Sequence, residues 1–134
     1  LTHLVKYVIF YTDSDKLSQI IQNLVSNAIK AIGSDGNIDI YLRETDKEII
    51  INVIDTGIGI KDGDIQIIFE RFYRVEDSRN TKENGVGLGL SITKNFVEAL
   101  SGKIKVKSKL GEGSDFAIIF EKNNRETYDK KKEK

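Results

Sequence analysis

The sequence predicts an α+β fold of two layers, a mostly antiparallel mixed sheet with helices packed on one face. Two long segments, residues 14 to 32 and 88 to 101, carry apolar residues at helical spacing. Several shorter segments alternate apolar and polar residues, as half-buried strands do. Helices and strands in this order predict the sandwich.

Composition bounds the kind of protein. The 134 residues fit one domain, and the 21 basic side chains are balanced by 21 acidic ones, so net charge gives no reason to expect a nucleic-acid partner. The chain has no cysteine, which excludes disulfides and cysteine-based metal sites. It has no apolar run of about 18 residues, so we expect no membrane insertion of this segment. A start at Leu1 without methionine indicates a piece of a longer protein.

The first predicted helix, residues 14 to 32, carries an unusual line of polar residues. Asp13 or Ser14 can cap its start, and Gly33 follows its end. Its apolar stripe consists of Leu17, Ile20, Ile21, Leu24, Ala28, Ala31 and Ile32. Beside the stripe lies a row of polar residues, Gln19, Asn23, Asn27 and Lys30. At about 100° of helical rotation per residue, these four fall within a sector roughly 80° wide. Two interpretations stay open from the helix alone, a solvated edge or a row that faces a polar ligand.

Four strands are predicted at residues 37 to 43, 48 to 55, 103 to 109 and 115 to 121, and residues 4 to 10 are a candidate edge strand. Ile38, Ile40 and Leu42 share one face of the first strand, and a three-residue turn makes a hairpin with the second. In the third strand, Ile104 and Val106 should face inward and four lysines outward.

The second predicted helix, residues 88 to 101, should bury Leu88, Ile92, Phe96, Val97 and Leu100 on one side. Before it, between Glu70 and Val86, the apolar pattern fails, and a polar loop of this length is usually functional or disordered. We assign residues 1–122 to the domain and residues 123–134 to a charged, disordered tail.

Asp55 opens the segment "DTGIGI" and should point to the apolar face of its strand, with Ile51 and Val53. A carboxylate there is costly unless it has a partner. Gly57 and Gly59 allow a tight turn and close approach of a bulky group.

Two further glycine-rich segments follow. "GVGLGL" at 85–90 leads into the second helix, where backbone N–H groups and the helix dipole favour phosphate. "GEGS" at 111–114 forms a tight turn between the last two strands.

In this order, the motifs resemble those of the catalytic and ATP-binding domain of sensor histidine kinases, in the superfamily that includes the gyrase-type ATPases. "NLVSNAIK" resembles the asparagine box, "DTGIGI" and "GVGLGL" the glycine boxes, "IFERFYR" the phenylalanine box and "GEGSDF" the last glycine motif. The resemblance covers about residues 13 to 121.

The resemblance implies roles for individual residues. Asn27 would ligate Mg²⁺, Asn23 would support the metal shell, and Lys30 would bring positive charge to the phosphates. Asp55 would accept a hydrogen bond from the adenine amino group, and Ser114 would reach adenine. The remaining nucleotide contacts would come from Gly57, Gly59, Ile60, Arg74, Arg79, Gly85, Val86, Gly87, Leu88, Gly89 and Leu90.

Two positions depart from patterns in the superfamily. Many members have an aromatic residue after the asparagine-box lysine, and this chain has Ala31. Gyrase-like relatives have a general-base glutamate where this chain has Asn23, and an amide cannot take a proton. This favours a histidine acceptor over water or serine, because neutral imidazole is already nucleophilic. His3, the only histidine, is outside any acceptor context.

The function implied is therefore Mg²⁺-ATP binding and transfer of the γ-phosphate to a histidine on a separate helical dimerisation domain, for relay to a response regulator. ADP would bind as the product of the transfer. The domain would lie at the cytoplasmic end of a membrane-anchored bacterial sensor. An aspartic protease built on "DTG" would leave the asparagine helix and "GVGLGL" unexplained. A non-catalytic version that binds nucleotide only to dock a partner stays open.

Overall fold

The computed structural model describes residues 8–70 and 89–122. The elements are α1 (Ser14–Ile32), β1 (Ile38–Glu44), β2 (Glu48–Asp55), α2 (Gly89–Ala99), β3 (Lys103–Lys109) and β4 (Gly113–Glu121). The four strands form one sheet in the order β1-β2-β4-β3, and all three described pairings are antiparallel. The predicted α+β sandwich is confirmed. No helix in the described ranges is both long and apolar enough to cross a membrane.

The helix α1 has the bounds that its pattern predicts. The Asp13 carboxylate accepts a hydrogen bond from the Lys16 backbone N–H, and it caps the start. Gly33, at a φ of 63°, ends the helix and donates to the Ile29 carbonyl. Its inward side chains Ile20, Leu24 and Ala28 are buried against the sheet.

The inner face of the sheet follows strand alternation. Ile51 and Val53 of β2 pair with Ile118 and Phe116 of β4, and all four are buried beneath the helices. In β3, Ile104 and Val106 face the core and the lysines are exposed, as predicted. Phe120 closes the core at the end of β4, where its ring lies 4.8 Å from that of Phe10.

Two sequence expectations about the strands need correction, and the inner face of β1 is less covered than that of β2. Residues 8–10 form no strand, and the rest of the candidate edge strand lies outside the described residues. β4 begins at Gly113, two residues earlier than predicted. Ile40 and Leu42 share the inner face with Ile38 but are 52% and 48% exposed, because the helices cover little of the edge strand β1.

The buried side of α2 also differs from the prediction. Ile92 is 38% exposed, whereas Ser91, Thr93 and Val97 are buried. Phe96, like Leu90 and Leu100, is only partly buried against the core. The helix thus turns a hydroxyl-bearing side toward α1 and leaves Ile92 at its rim.

Candidate functional site

The turn after β2 lies against the C-terminal end of α1. The Ile58 backbone N–H donates to the Ala31 carbonyl at 3.2 Å. At Gly57, an added Cβ would meet the Ala31 carbonyl oxygen at 2.6 Å and the Ala31 Cβ at 2.7 Å. The missing Cβ of Gly57 therefore lets the turn approach the helix at Ala31, the residue that stands where many family members have an aromatic one.

Asp55 is buried at the end of β2, and only 3% of its surface is exposed. It faces the helix layer, as its place in the strand predicts. Its carboxylate accepts a hydrogen bond from the backbone N–H of Gly57 at 2.8 Å, and the nearby Ser114 N–H also favours its charged form. Burial raises the pKa of Asp55, although the two N–H donors oppose the shift. The Asp55 carboxylate is therefore a buried hydrogen-bond acceptor that can accept further hydrogen bonds.

Ser108 joins the turn after β2 to the start of β4, and sequence reasoning did not identify it. Its hydroxyl donates to the Gly113 carbonyl at 2.9 Å and accepts from the Ile60 N–H at 2.8 Å. Because that donation uses its only proton, Ser114, 2.8 Å away, donates to it. The available signal was position, since Ser108 continues the inward row of Ile104 and Val106 with a polar residue.

Two glycines let these turns touch backbone to backbone. Gly59 has a φ of 74°, and a Cβ there would clash with the Lys109 carbonyl oxygen. Gly113 has a φ of 113°, and a Cβ there would clash with the Asp55 carbonyl oxygen. The segments "DTGIGI" and "GEGS", far apart in sequence, are thus in backbone contact and together form one wall around Asp55.

A second cluster lies where α1 meets the start of α2. The Asn23 side-chain Nδ2 lies 3.2 Å from the Thr93 hydroxyl, which donates to the Gly89 carbonyl at 2.7 Å. Gln19 Nε2 donates to the Asn23 Oδ1 at 2.8 Å. Thr93 is fully buried and was not predicted. An open groove of about 440 Å³ beside this cluster is lined by Asp15, Lys16, Gln19, Asn23, Gly89, Ile92 and Phe96.

The polar line of α1 connects the two clusters. Asn23 belongs to the groove and Ala31 contacts the wall around Asp55, eight residues further along the helix. At about 1.5 Å per residue, this separation is about 12 Å, a span suited to an extended nucleotide. Half-buried Asn27 and exposed Lys30 lie between them. The site is therefore elongated, with an acidic, buried end and an amide-lined, open end.

The donor set limits how a metal ion can bind. Within residues 8–70 and 89–122, no group of three or more His, Cys, Asp or Glu side chains could hold one. Mg²⁺ commonly takes only one or two protein ligands and completes its shell with water and substrate phosphates. The amide oxygens of Asn23 and Asn27 on the open side of α1 fit that type of site.

Some of the predicted site residues cannot be placed. Outside the described residues lie Arg74, Arg79, Gly85, Val86, Gly87 and Leu88, as does His3. The side chains of Ile60 and Leu90 pack against the core, and the Ile60 backbone N–H donates to Ser108. From the phenylalanine motif, Phe69 is described, and its ring lies edge-on to Phe116 at 6.4 Å and under the Lys94 ammonium group at 5.7 Å.

Comparison with known proteins finds similarity over nearly the whole chain. Residues 12–124 match the family described as histidine kinase-, DNA gyrase B-, and HSP90-like ATPase. The sensor protein CiaH of Streptococcus pneumoniae is 41% identical over 107 residues, which are 80% of this chain and 24% of CiaH. The histidine-protein kinase ArlS of Staphylococcus aureus is 40% identical over 105 residues, 78% of this chain and 23% of ArlS. The chain thus spans about a quarter of these relatives.

Solved structures of histidine kinases have the same fold. The mycobacterial sensor histidine kinase MprB superposes with a TM-score of 0.74 at 27% identity, over 84% of this chain and 76% of that one. The catalytic domain of the histidine kinase ThkA gives 0.70 at 29% identity, over 83% and 70%. Full-length ShkA, solved in complex with AMPPNP, gives 0.69 at 28% identity, over 83% of this chain and 23% of ShkA.

Proposed function

The chain belongs to the family of histidine kinase-, DNA gyrase B- and HSP90-like ATPases, and we propose that it binds Mg²⁺-ATP and transfers the γ-phosphate to a histidine. The acceptor histidine lies on a separate helical dimerisation domain of the parent protein. A response regulator then takes the phosphoryl group, and the domain works at the cytoplasmic end of a membrane-anchored bacterial sensor. ATP binding follows from the family, and the relatives' names support the kinase assignment.

The observation that carries this proposal is the elongated site along α1. The adenine would lie at the Asp55 wall and the phosphates beside Asn23, Asn27 and the start of α2. The Asp55 carboxylate would accept the adenine amino group, with Ser114 beside it. Gly89 would offer the positive end of the α2 dipole to the phosphates.

At the open end, Asn27 would ligate Mg²⁺ and Asn23 would support its water shell. When bound, the ion would neutralise charge on the β- and γ-phosphates. Lys30 would add a positive charge close to them. Arg74, Arg79 and residues 85 to 88 complete the phosphate contacts in this proposal.

The chemistry of Asn23 supports an imidazole acceptor. Its amide is held by Gln19 and Thr93, and the resemblance to gyrase-like ATPases implies that this is the position of their general-base glutamate. An amide cannot accept a proton, so neither water nor a serine hydroxyl would be activated there. A neutral histidine needs less activation, and the main requirement is its in-line placement at the γ-phosphate.

A two-piece transfer reaction tests the proposal. The chain and the parent's helical domain are incubated with radiolabelled ATP and Mg²⁺, and the proteins are examined for an acid-labile, base-stable label. We expect the label on the helical domain only, at a low rate because the covalent tether is missing. Asn27→Ala should abolish the transfer because it removes the metal ligand.

Gln22→Ala is the matched control for Asn27→Ala. Gln22 is an exposed amide on the same helix, bonded to Ser18 and turned about 140° away from Asn27 at about 100° per residue. The Gln22→Ala variant should transfer the phosphoryl group like wild type. A label on this chain alone would contradict the division of labour. ATP binding and association without any label would favour a domain that only binds nucleotide.

A further inference from the structure

Thr93 is a polar side chain in a position that packing alone would give to an apolar one. It is 0% exposed, on the side of α2 that faces α1. Its hydroxyl contacts both the Asn23 amide and the Gly89 carbonyl. It therefore links the metal-and-phosphate line of α1 to the first residue of α2.

The single proton of the Thr93 hydroxyl determines the orientation of the Asn23 amide. A threonine hydroxyl has one proton, and the Gly89 carbonyl, 2.7 Å away, can only accept it. Asn23 must then be the donor through Nδ2, so its Oδ1 lies on the opposite side of the amide. There it accepts from Gln19 Nε2, and both residues line the groove beside Gly89.

We propose that Thr93 is a positioning residue that holds the Asn23 oxygen toward the phosphate end of the site. The inference rests on the proposed function. An Asn oxygen has two lone pairs, and Gln19 uses one of them. The other is free to accept from a cation-bound water. A flipped amide would present N–H groups there and repel the cation.

Thr93 also couples the two helices. Because one hydroxyl bonds to both Asn23 and Gly89, the oxygen donor on α1 and the helix start on α2 keep a fixed spacing across the groove. A valine has nearly the same shape but neither bond, so Thr93→Val releases the amide while the core stays filled. Thr93→Ser keeps the hydroxyl and should restore the amide orientation.

The test measures nucleotide affinity with and without Mg²⁺ by calorimetry, and the Asn23 side-chain amide by ¹H–¹⁵N NMR. We expect Thr93→Val to reduce the Mg²⁺-dependent gain in ATP affinity about tenfold, which is about 1.4 kcal/mol, and to leave adenosine affinity unchanged. Its Asn23 amide signals should shift and exchange faster. Thr93→Ser should resemble wild type in all three measurements.

Thr45→Val is the matched control. Thr45 uses its hydroxyl to accept from the Lys47 and Glu48 N–H groups in the β1–β2 turn, at the end of the sheet opposite Asp55. It should lower stability without changing Mg²⁺ dependence. The inference would be overturned if Thr45→Val lost as much of the Mg²⁺-dependent gain in ATP affinity as Thr93→Val does. It would also be overturned if Thr93→Val lost adenosine affinity to the same extent, because Thr93 would then act only through packing.

The remaining outcomes separate this inference from the proposed function. Wild type that binds Mg²⁺-ATP and a Thr93→Val variant with unchanged Mg²⁺ dependence would overturn the inference alone. Wild type that binds no Mg²⁺-ATP would overturn both. If Thr93→Val does not fold, the NMR measurement on the wild-type protein still tests the inference. Slow exchange of the Asn23 Nδ2 protons supports it, and fast exchange contradicts it.

Discussion

At the scale of single residues, the Asp55 carboxylate should lower the stability of the fold and strengthen the binding of adenine nucleotides. Burial raises its pKa above the ordinary value of 3.8, so the native state binds a proton more readily than the unfolded chain. Stability therefore falls as the pH rises from 3.8 through the raised pKa, and the full cost applies above it. Asp55→Asn should raise the melting temperature at neutral pH, and the difference from wild type should shrink as the pH falls toward 3.8.

The same substitution should weaken adenine nucleotides about 10- to 100-fold, because a hydrogen bond to a charged group contributes roughly 1.5–3 kcal/mol. Thermal unfolding across pH and calorimetry measure the two effects. Asp39→Asn, at an exposed carboxylate on β1, is the control and should change neither. An Asp55→Asn variant that binds ATP like wild type would contradict the adenine role.

At the scale of elements, the contact between the turn after β2 and the β3–β4 turn should depend on Gly59. Gly59→Ala places a Cβ against the Lys109 carbonyl oxygen at a positive φ. Strain of this kind costs on the order of 1–3 kcal/mol before any clash is counted. Urea unfolding should show that loss, together with weaker ATP binding as the wall around Asp55 shifts.

Gly63→Ala is the matched change in the next turn. A Cβ at Gly63 would meet nothing within 4 Å, and its φ is not positive. Its stability should stay within about 0.5 kcal/mol of wild type. Equal losses in the two variants would show that the contact between the turns does not account for the glycine at 59.

At the scale of the whole molecule, nucleotide binding should stabilise the entire domain. The proposed site takes residues from α1, β2, α2 and β4, so the unfolded chain cannot form it. Mg²⁺-ATP at 100 times its dissociation constant should then add about 2.7 kcal/mol to the free energy of unfolding. Thermal unfolding with increasing ligand measures this gain.

GTP is the control ligand for that measurement. Guanine has a carbonyl oxygen where adenine has its amino group, and it would face the Asp55 carboxylate acceptor to acceptor. Mg²⁺-GTP at the same concentration should leave the melting temperature nearly unchanged. An equal shift with both nucleotides would place the stabilisation in the phosphate contacts alone.

The sequence by itself determined the two helices, the four strands of the sheet and the face on which several candidate site residues lie. Periodicity predicted α1 to the residue, because its cap, its apolar stripe and Gly33 are all local signals. Strand alternation placed Asp55 on the inner face, since side-chain direction has a period of two. The glycines of "DTGIGI" and "GEGS" predicted the two tight turns, because backbone freedom is a property of the residue.

Only the tertiary structure decided which side chains meet. Ser108 and Thr93 became part of the candidate site because their hydroxyls bond to Ile60 and Asn23, which are 48 and 70 positions away in sequence. The exposure of Ile40 and Ile92 likewise depended on which neighbouring element covers them. Burial and hydrogen-bond partners are properties of packed pairs, so no local pattern carries them.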